Sequence, residues 1–213
     1  MTTLIVDYES GNLHSVAKSF ERMAAEGNSG SVIVSSDPAD MARASRIVLP
    51  GVGAFADCRA GLAAREGLFE AMAQRVLNDG LPFLGICVGM QMLADWGREH
   101  GVDTEGFGWI GGEVIGIVPN DPSLKVPHMG WNDLVIDQAH PVLAGIETGD
   151  HAYFVHSYHL AATHPDQVLA HVNYGGPITA AVGRDNIFGT QFHPEKSQKT
   201  GLRLISNFLD WKP

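Results

Sequence analysis

At 213 residues, 45% hydrophobic and 18% charged, the chain is long enough to bury a sizeable core and too apolar to stay disordered. Its net charge of −10, with 14 scattered basic residues, argues against nucleic acid as a main partner. No apolar run reaches membrane-spanning length, the N-terminus lacks a basic-then-apolar leader pattern, and Cys58 and Cys87 cannot make a disulfide framework, so a cytoplasmic protein with no membrane partner is expected.

In chain order, short apolar strands are predicted at residues 4–6, 32–34, 47–49 and 81–86. Between the first two, Leu13, Val16, Ala17, Phe20 and Met23 recur at helical spacing, with Ser10 or Asn12 as a possible cap. A short helical connection is expected before residue 47, a helix over 68–77, and another amphipathic helix from Met90 to Trp96. Strands alternating with helices predict a mostly parallel central sheet flanked by helices on both faces, with the chemistry at the carboxyl ends of its strands. After about residue 110 the pattern changes. Stretches 114–118, 133–136, 152–158, 168–172, 178–182 and 187–191 read as strands separated by Pro, Gly, Asn and Asp. They should add antiparallel or mixed strands to the same sheet or to a small one beside it. An amphipathic helix over 201–211 follows, and with no linker or repeat the simplest architecture is one α/β domain over residues 1–213.

The stretch Leu84-Gly85-Ile86-Cys87-Val88-Gly89-Met90-Gln91 reads as strand, sharp turn, helix, with Cys87 at the turn. A residue on such an elbow takes a strained conformation that small neighbours permit, exposes its side chain, and lies over the start of a helix, whose dipole favours a thiolate. The alternative is a small buried hydrophobe, and the G-x-C-x-G spacing does not separate the two. In Gln191-Phe192-His193-Pro194-Glu195, Pro194 pushes the preceding residue into extended geometry, which places His193 and Glu195 on the same side. A carboxylate there fixes the imidazole tautomer and leaves the other nitrogen as a base. A solvated surface loop is the alternative for this pair alone. Together with an elbow cysteine, nucleophile, base and orienting acid are all present, and the 106 residues between Cys87 and His193 are no objection, because triads assemble in space.

Pro50-Gly51-Val52-Gly53 follows the third strand. Gly51 to Ala56 fits G-x-G-x-x-A, but Glu70, at about the distance of a ribose ligand, falls within a helical stretch, so a dinucleotide site is disfavoured. The competing function is an oxyanion loop, with donors from the backbone of Val88 and of Gly51-Val52; a plain tight turn fits as well. His151, His156, His159 and His164 cluster, yet His156-x-x-His159 splits across a strand with no acidic or Cys partner at ligand spacing, so no metal is expected. Cys58, at a helix start, is read as a structural thiol. Trp131, an aromatic among small residues in an apparent loop, suits either an interface anchor or the core.

Gly85 to Gln91 together with Phe192-His193-Pro194-Glu195 resembles the class I, triad-type glutamine amidotransferases. Asp7-Tyr8 with Gly11-Asn12-Leu13, Leu49 to Phe55, Pro127-His128-Met129-Gly130-Trp131-Asn132, Tyr153 to Tyr158 and Glu195-Lys196-Ser197 are similar to the glutaminase subunits of imidazole glycerol phosphate synthases, a likeness spanning nearly the whole chain. Two positions depart: Glu9, where that family commonly has a small residue, and His159, where tyrosine or arginine is usual. The resemblance implies a glutamine-hydrolysing subunit in histidine biosynthesis, needing no cofactor. Cys87 would form a glutamyl thioester, His193 would shuttle protons and Glu195 would hold the imidazole. Gln91 with the Gly51 and Ser157-Tyr158 backbone would bind glutamine. Ammonia would pass to a (β/α)8-barrel cyclase partner in a heterodimer, and Asn12, Tyr153 and Lys196 join Trp131 as interface candidates. An amidotransferase serving another acceptor would share the triad without Pro127 to Asn132; an idle scaffold would need no triad.

Overall fold

A computed structural model describes residues 1–9, 11 and 13–213. Asn12 and the possible cap Ser10 therefore lie outside the described residues. The first half runs β1 (Thr2–Val6), α1 (Leu13–Gly27), β2 (Ser31–Ser35), β3 (Arg46–Gly51), α2 (Phe55–Ala63), α3 (Leu68–Ala73), β4 (Phe83–Cys87) and α4 (Val88–Gln91). A 3-10 turn at Pro38–Arg43 joins β2 to β3, and α3 continues into a π-helical turn at Gln74–Asn78. The second half adds β5 (Trp96–Glu99), β6 (Val102–Glu105), β7 (Gly112–Gly116), β8 (His128–Asp133), β9 (Val135–Ile136), β10 (His151–His156), β11 (Tyr158–Ala162), β12 (Val168–Asn173), β13 (Pro177–Arg184) and β14 (Ile187–Thr190), then α5 (Gln198–Asp210). No helix among the described residues is long and apolar enough to cross a membrane.

The main sheet has eight strands in the order β2-β1-β3-β4-β14-β13-β12-β9. It is parallel from β2 to β14 and antiparallel from there to β9. Both expected outcomes for the second half occur: four strands extend the main sheet, while β11-β7-β5-β6 and β10-β8 form smaller sheets beside it. Strand alternation covers the main sheet on both faces. Phe83 packs edge-on against Trp109, which stacks on Phe69 of α3. Phe188 pairs in register with Leu84, the next residue along β4, and so turns to the other face. There it meets His140, which packs on Trp211 beside Phe208 of α5; Phe208 in turn meets Phe20 of α1 at 6.3 Å. Each such ring, removed from water, contributes about 1.5–3 kcal/mol.

Helix α1 forms where the apolar spacing predicts, burying Val16, Ala17, Phe20 and Ala24. It ends because Asn28 turns left-handed (φ 52) and the Ser29 N–H closes back on the Ala24 carbonyl at 2.9 Å. The helix expected from Met90 to Trp96 is one turn only, and Trp96 opens β5. The carbonyls that would propagate it are taken by a later segment. The N–H groups of Phe107, Gly108 and Trp109 donate to Met92, Ala94 and Leu93 at 2.8–3.0 Å. Trp131, expected in a loop, sits in β8, paired with Tyr153 of β10.

Two glycines let α4 turn tightly over the ends of β3 and β4. A Cβ at Gly89 would stand 1.9 Å from the Leu49 carbonyl oxygen, and one at Gly85 would stand 2.6 Å from that of Gly89. Gly89→Ala should therefore destabilise the chain by about 3 kcal/mol or more in urea titrations. Gly116→Ala meets nothing nearer than Tyr158 at 3.8 Å and should stay within about 1 kcal/mol of wild type. Equal midpoints for the two variants would contradict this packing.

Candidate active site

Cys87 ends the central strand β4 with φ 55 and ψ −111, a conformation that side-chain-bearing residues rarely adopt. Holding it costs about 1–3 kcal/mol, borne by the packing of Gly85 and Gly89 around the turn. The strain aims the thiol out of the sheet and into a cavity of about 730 Å³. The dipole of a four-residue turn is a lesser source of positive potential than a full helix, so the charge facing Cys87 comes chiefly from a side chain.

That side chain is His193. It lies just past β14, the parallel neighbour of β4, and its backbone is extended (φ −94, ψ 101) as Pro194 requires. Beyond it the expected extended run gives way to a 3-10 turn, Pro194–Lys196. Three bonds fasten the turn: Ser197 Oγ donates to the His193 carbonyl (2.7 Å), the Tyr153 N–H to Ser197 Oγ (3.0 Å), and the His193 N–H to the Tyr153 carbonyl (3.1 Å). Gly201 lets α5 press against it, since a Cβ there would lie 1.8 Å from the Pro194 carbonyl.

The turn brings Glu195 Oε1 to 2.9 Å from His193 Nδ1, both side chains almost wholly buried. With Nδ1 so engaged, Nε2 is the nitrogen that meets Cys87. Burial alone would lower the His193 pKa, but the hydrogen bonds and charges of Cys87 and Glu195 outweigh it and raise it to about 10. The imidazolium is thereby favoured between two acid partners. Its contribution to stability is complete below the ordinary histidine value of about 6.5 and is lost as pH rises through about 10.

Val52, Val88, Gln91, Ser157, Tyr158 and Lys196 line the same cavity, as do Cys87 and His193. Gly51 does not. It is buried in β3, opposite Cys87 in register, and contributes to a smaller enclosed space beside His193 and Glu195. The Val52 carbonyl accepts from the Cys58 thiol at 3.3 Å, and the Tyr8 hydroxyl donates to the Pro50 carbonyl at 2.7 Å, so α2 and the segment just past β1 hold this loop. Burial first, then the nearby acidic groups, keep the Cys58 thiol protonated, with a pKa pushed up to about 11 against the opposing bonds from Tyr8 and Val52. Gln91 Nε2 donates to the Tyr158 carbonyl (2.9 Å) and to Gln191 Oε1 (3.0 Å), leaving its own oxygen for a ligand.

Trp131 is 47% exposed, against the core alternative, and packs edge-on against Tyr153, over which Lys196 Nζ sits at 5.9 Å. Met129, 66% exposed, shares the Trp131 side of β8 and extends the apolar patch. Sequence reasoning missed it, although its position two residues from Trp131 was a usable signal. His159 lies in β11, where burial lowers its pKa. Among the described residues no group of three or more His, Cys, Asp or Glu side chains could hold a metal ion. Glu9 takes a left-handed conformation (φ 68), which gives a physical reason for a small residue at that position.

The class-I glutamine amidotransferase family model matches residues 4–211. The chain belongs to this family. The imidazole glycerol phosphate synthase subunit HisH of Cereibacter sphaeroides is 64% identical over 213 residues and that of Ruegeria pomeroyi 59%, each pair covered over 100% of both chains. A solved glutamine amidotransferase that is 18% identical aligns with a TM-score of 0.72 over 97% of each chain, showing the common fold.

Beside this cavity, His128 and His156 form a buried pair, with Nδ1 of the first 2.9 Å from Nε2 of the second. Desolvation lowers their pKa values to about 4 and about 3, so both are neutral in the fold. Below about pH 6.5 the unfolded chain takes up protons that the folded chain refuses, and stability falls with pH. His128→Gln should lose about 2 kcal/mol less than wild type between about pH 7 and 5, measured by urea denaturation. An identical acid loss in both chains would count against neutral buried histidines.

Proposed function

We propose that the chain, acting as one domain over residues 1–213, is the glutaminase subunit of an imidazole glycerol phosphate synthase, working in the cytoplasm without a cofactor. The observation that most supports this is the order Glu195, His193, Cys87 along one line of contacts, ending at a strained thiol in a cavity large enough for an amino acid. Cys87 attacks the side-chain carbonyl carbon of glutamine. The carbonyl oxygen becomes an oxyanion, for which the Val88 N–H and the backbone of the Gly51-Val52 loop are the donors. His193 passes its proton to the departing nitrogen, and ammonia leaves behind a glutamyl thioester. Water, deprotonated by the now neutral His193, releases glutamate and restores the Cys87 thiolate beside the His193 imidazolium. Glu195 holds the imidazole through both half-reactions, while Gln91, Ser157 and Tyr158 position the substrate.

The acceptor is a (β/α)8 cyclase subunit, which uses ammonia to make imidazole glycerol phosphate and aminoimidazole carboxamide ribonucleotide. Support comes from the two relatives, each named as a subunit of a synthase, and from the exposed Trp131 and Met129 beside Tyr153 and Lys196. Exposed aromatics on a rigid strand suit interface anchoring; Asn12 is proposed for the same face. Lys196 follows Glu195 within one turn, so pressure on this face can reach the acid of the triad.

In the complex with a cyclase subunit, Cys87→Ala should abolish glutamine-dependent cyclisation while ammonia-dependent cyclisation persists. Loss of both would make Cys87 structural. A glutamine-analogue alkylator should label Cys87 and spare Cys58. For the interface, Trp131→Ala should weaken binding of the cyclase subunit by about tenfold or more in calorimetric titration, an effect typical of a central aromatic anchor. Unchanged affinity would remove Trp131 from the contact.

A further inference from the structure

Gln191 is wholly buried one residue beyond β14, and its Nε2 lies 3.6 Å from Cys87 Sγ, within hydrogen-bonding reach of the large sulfur atom. The orientation of its amide follows from its neighbours. The Tyr158 carbonyl can only accept, so it fixes the nitrogen of Gln91 toward itself. That same nitrogen also faces Gln191, whose oxygen must accept from it at 3.0 Å. Only the nitrogen of Gln191 is then left to face the sulfur. The Tyr158 carbonyl is held from a second side by His156 Nδ1 at 2.8 Å, so the anchor is itself tied down. Phe192, between Gln191 and His193, turns away onto Phe154, and the residues on either side of it bracket the thiol.

We infer that Gln191 is a catalytic residue, whose side-chain N–H donates to the Cys87 sulfur and stabilises it as the thiolate that attacks and later leaves the thioester. The inference rests on Cys87 being the nucleophile of the proposed reaction. His193 supplies the charge, but it must give its proton to the leaving nitrogen. Gln191 adds a second donor at both stages where the sulfur carries charge, in the resting thiolate and again as it leaves the thioester, and a carboxamide keeps its N–H throughout. Hydrogen bonds to a charged atom are worth about twice those between neutral groups.

The test compares wild type, Gln191→Glu and Gln191→Met. The first is nearly isosteric and loses a donor; the second keeps length and burial without placing a charge in the core. The readout is the rate of Cys87 alkylation by iodoacetamide, followed by peptide mass spectrometry. The other titratable groups around the cavity are His193, Lys196, His156, Tyr158, Glu99 and His100, with Glu195 behind His193 and Cys58 from α2, all unaltered in both variants. At about pH 6.5 both variants should react about tenfold more slowly than wild type, and at about pH 9.5 within about twofold of it. In the complex with the cyclase subunit, kcat for glutamine hydrolysis should fall about tenfold or more with KM changed less than about threefold.

Alkylation at the wild-type rate, or slowed equally at both pH values, overturns the inference, because a merely structural glutamine would not alter the pH dependence. If neither variant folds, nuclear magnetic resonance on the wild-type chain decides: the Gln191 side-chain amide protons should shift as the thiol titrates and cease to do so in Cys87→Ala. Amide protons that ignore the titration overturn it too. Glutamine hydrolysis by Cys87→Ala would instead refute the nucleophile assignment itself, whereas an inactive Cys87→Ala beside normal Gln191 variants sinks only the present inference.

Discussion

The left-handed turn at Cys87 is the constraint on which the rest of the molecule depends. Its φ of 55 is tolerated because β4 is the central strand, paired on both sides, so the carboxyl end of the sheet cannot relax to relieve the strain. Gly85 and Gly89 let the chain fold back within contact of Leu49, which brings Val88 and the loop after β3 to the same few ångströms. Parallel pairing of β3, β4 and β14 then places Gly51, Cys87 and Gln191 at adjacent strand ends. The constellation around Cys87 is thus a consequence of strand order, as expected for ligands at the carboxyl edge of an open α/β sheet.

Around the thiol, polar groups that would be costly to bury are made useful by their partners. Glu195 and His193 are nearly inaccessible, and Oε1 of the first is paired with Nδ1 of the second at 2.9 Å. A second chain runs from Asn132 through His128 and His156 to the Tyr158 carbonyl, and from that carbonyl through Gln91 and Gln191 to the sulfur. Because the histidines in it are kept neutral by desolvation, it can hold geometry without competing for the charge that His193 carries. One network sets the charge facing Cys87 and the other sets where its neighbours stand.

Much of this was legible in the residues themselves. The apolar runs before Gly51 and Cys87, and the glycines around the cysteine, announce parallel strands and an elbow because those are the local demands of the backbone. His193 and Glu195 were readable as a pair, although a 3-10 turn and not an extended strand joins them. The helix after Cys87 was misjudged because Phe107 to Trp109, remote in sequence, take the carbonyls it would have used. Trp131 looked like a loop residue because Pro127 and Gly130 interrupt the alternation that marks a strand; its pairing with β10 is a tertiary effect. Gln191 escaped notice for a different reason. A carboxamide neither titrates nor attacks, and its significance appears only when its donors and acceptors are counted.

The central claim is that His193 is held as an imidazolium between Cys87 and Glu195 in the resting protein. Titration of the His193 ring by nuclear magnetic resonance in the full chain tests it most directly. The ring should stay protonated through neutral pH and lose its proton only as the pH approaches about 10, with the value falling when Cys87 is replaced by Ala. A His193 that titrates near the ordinary value of about 6.5 would contradict it.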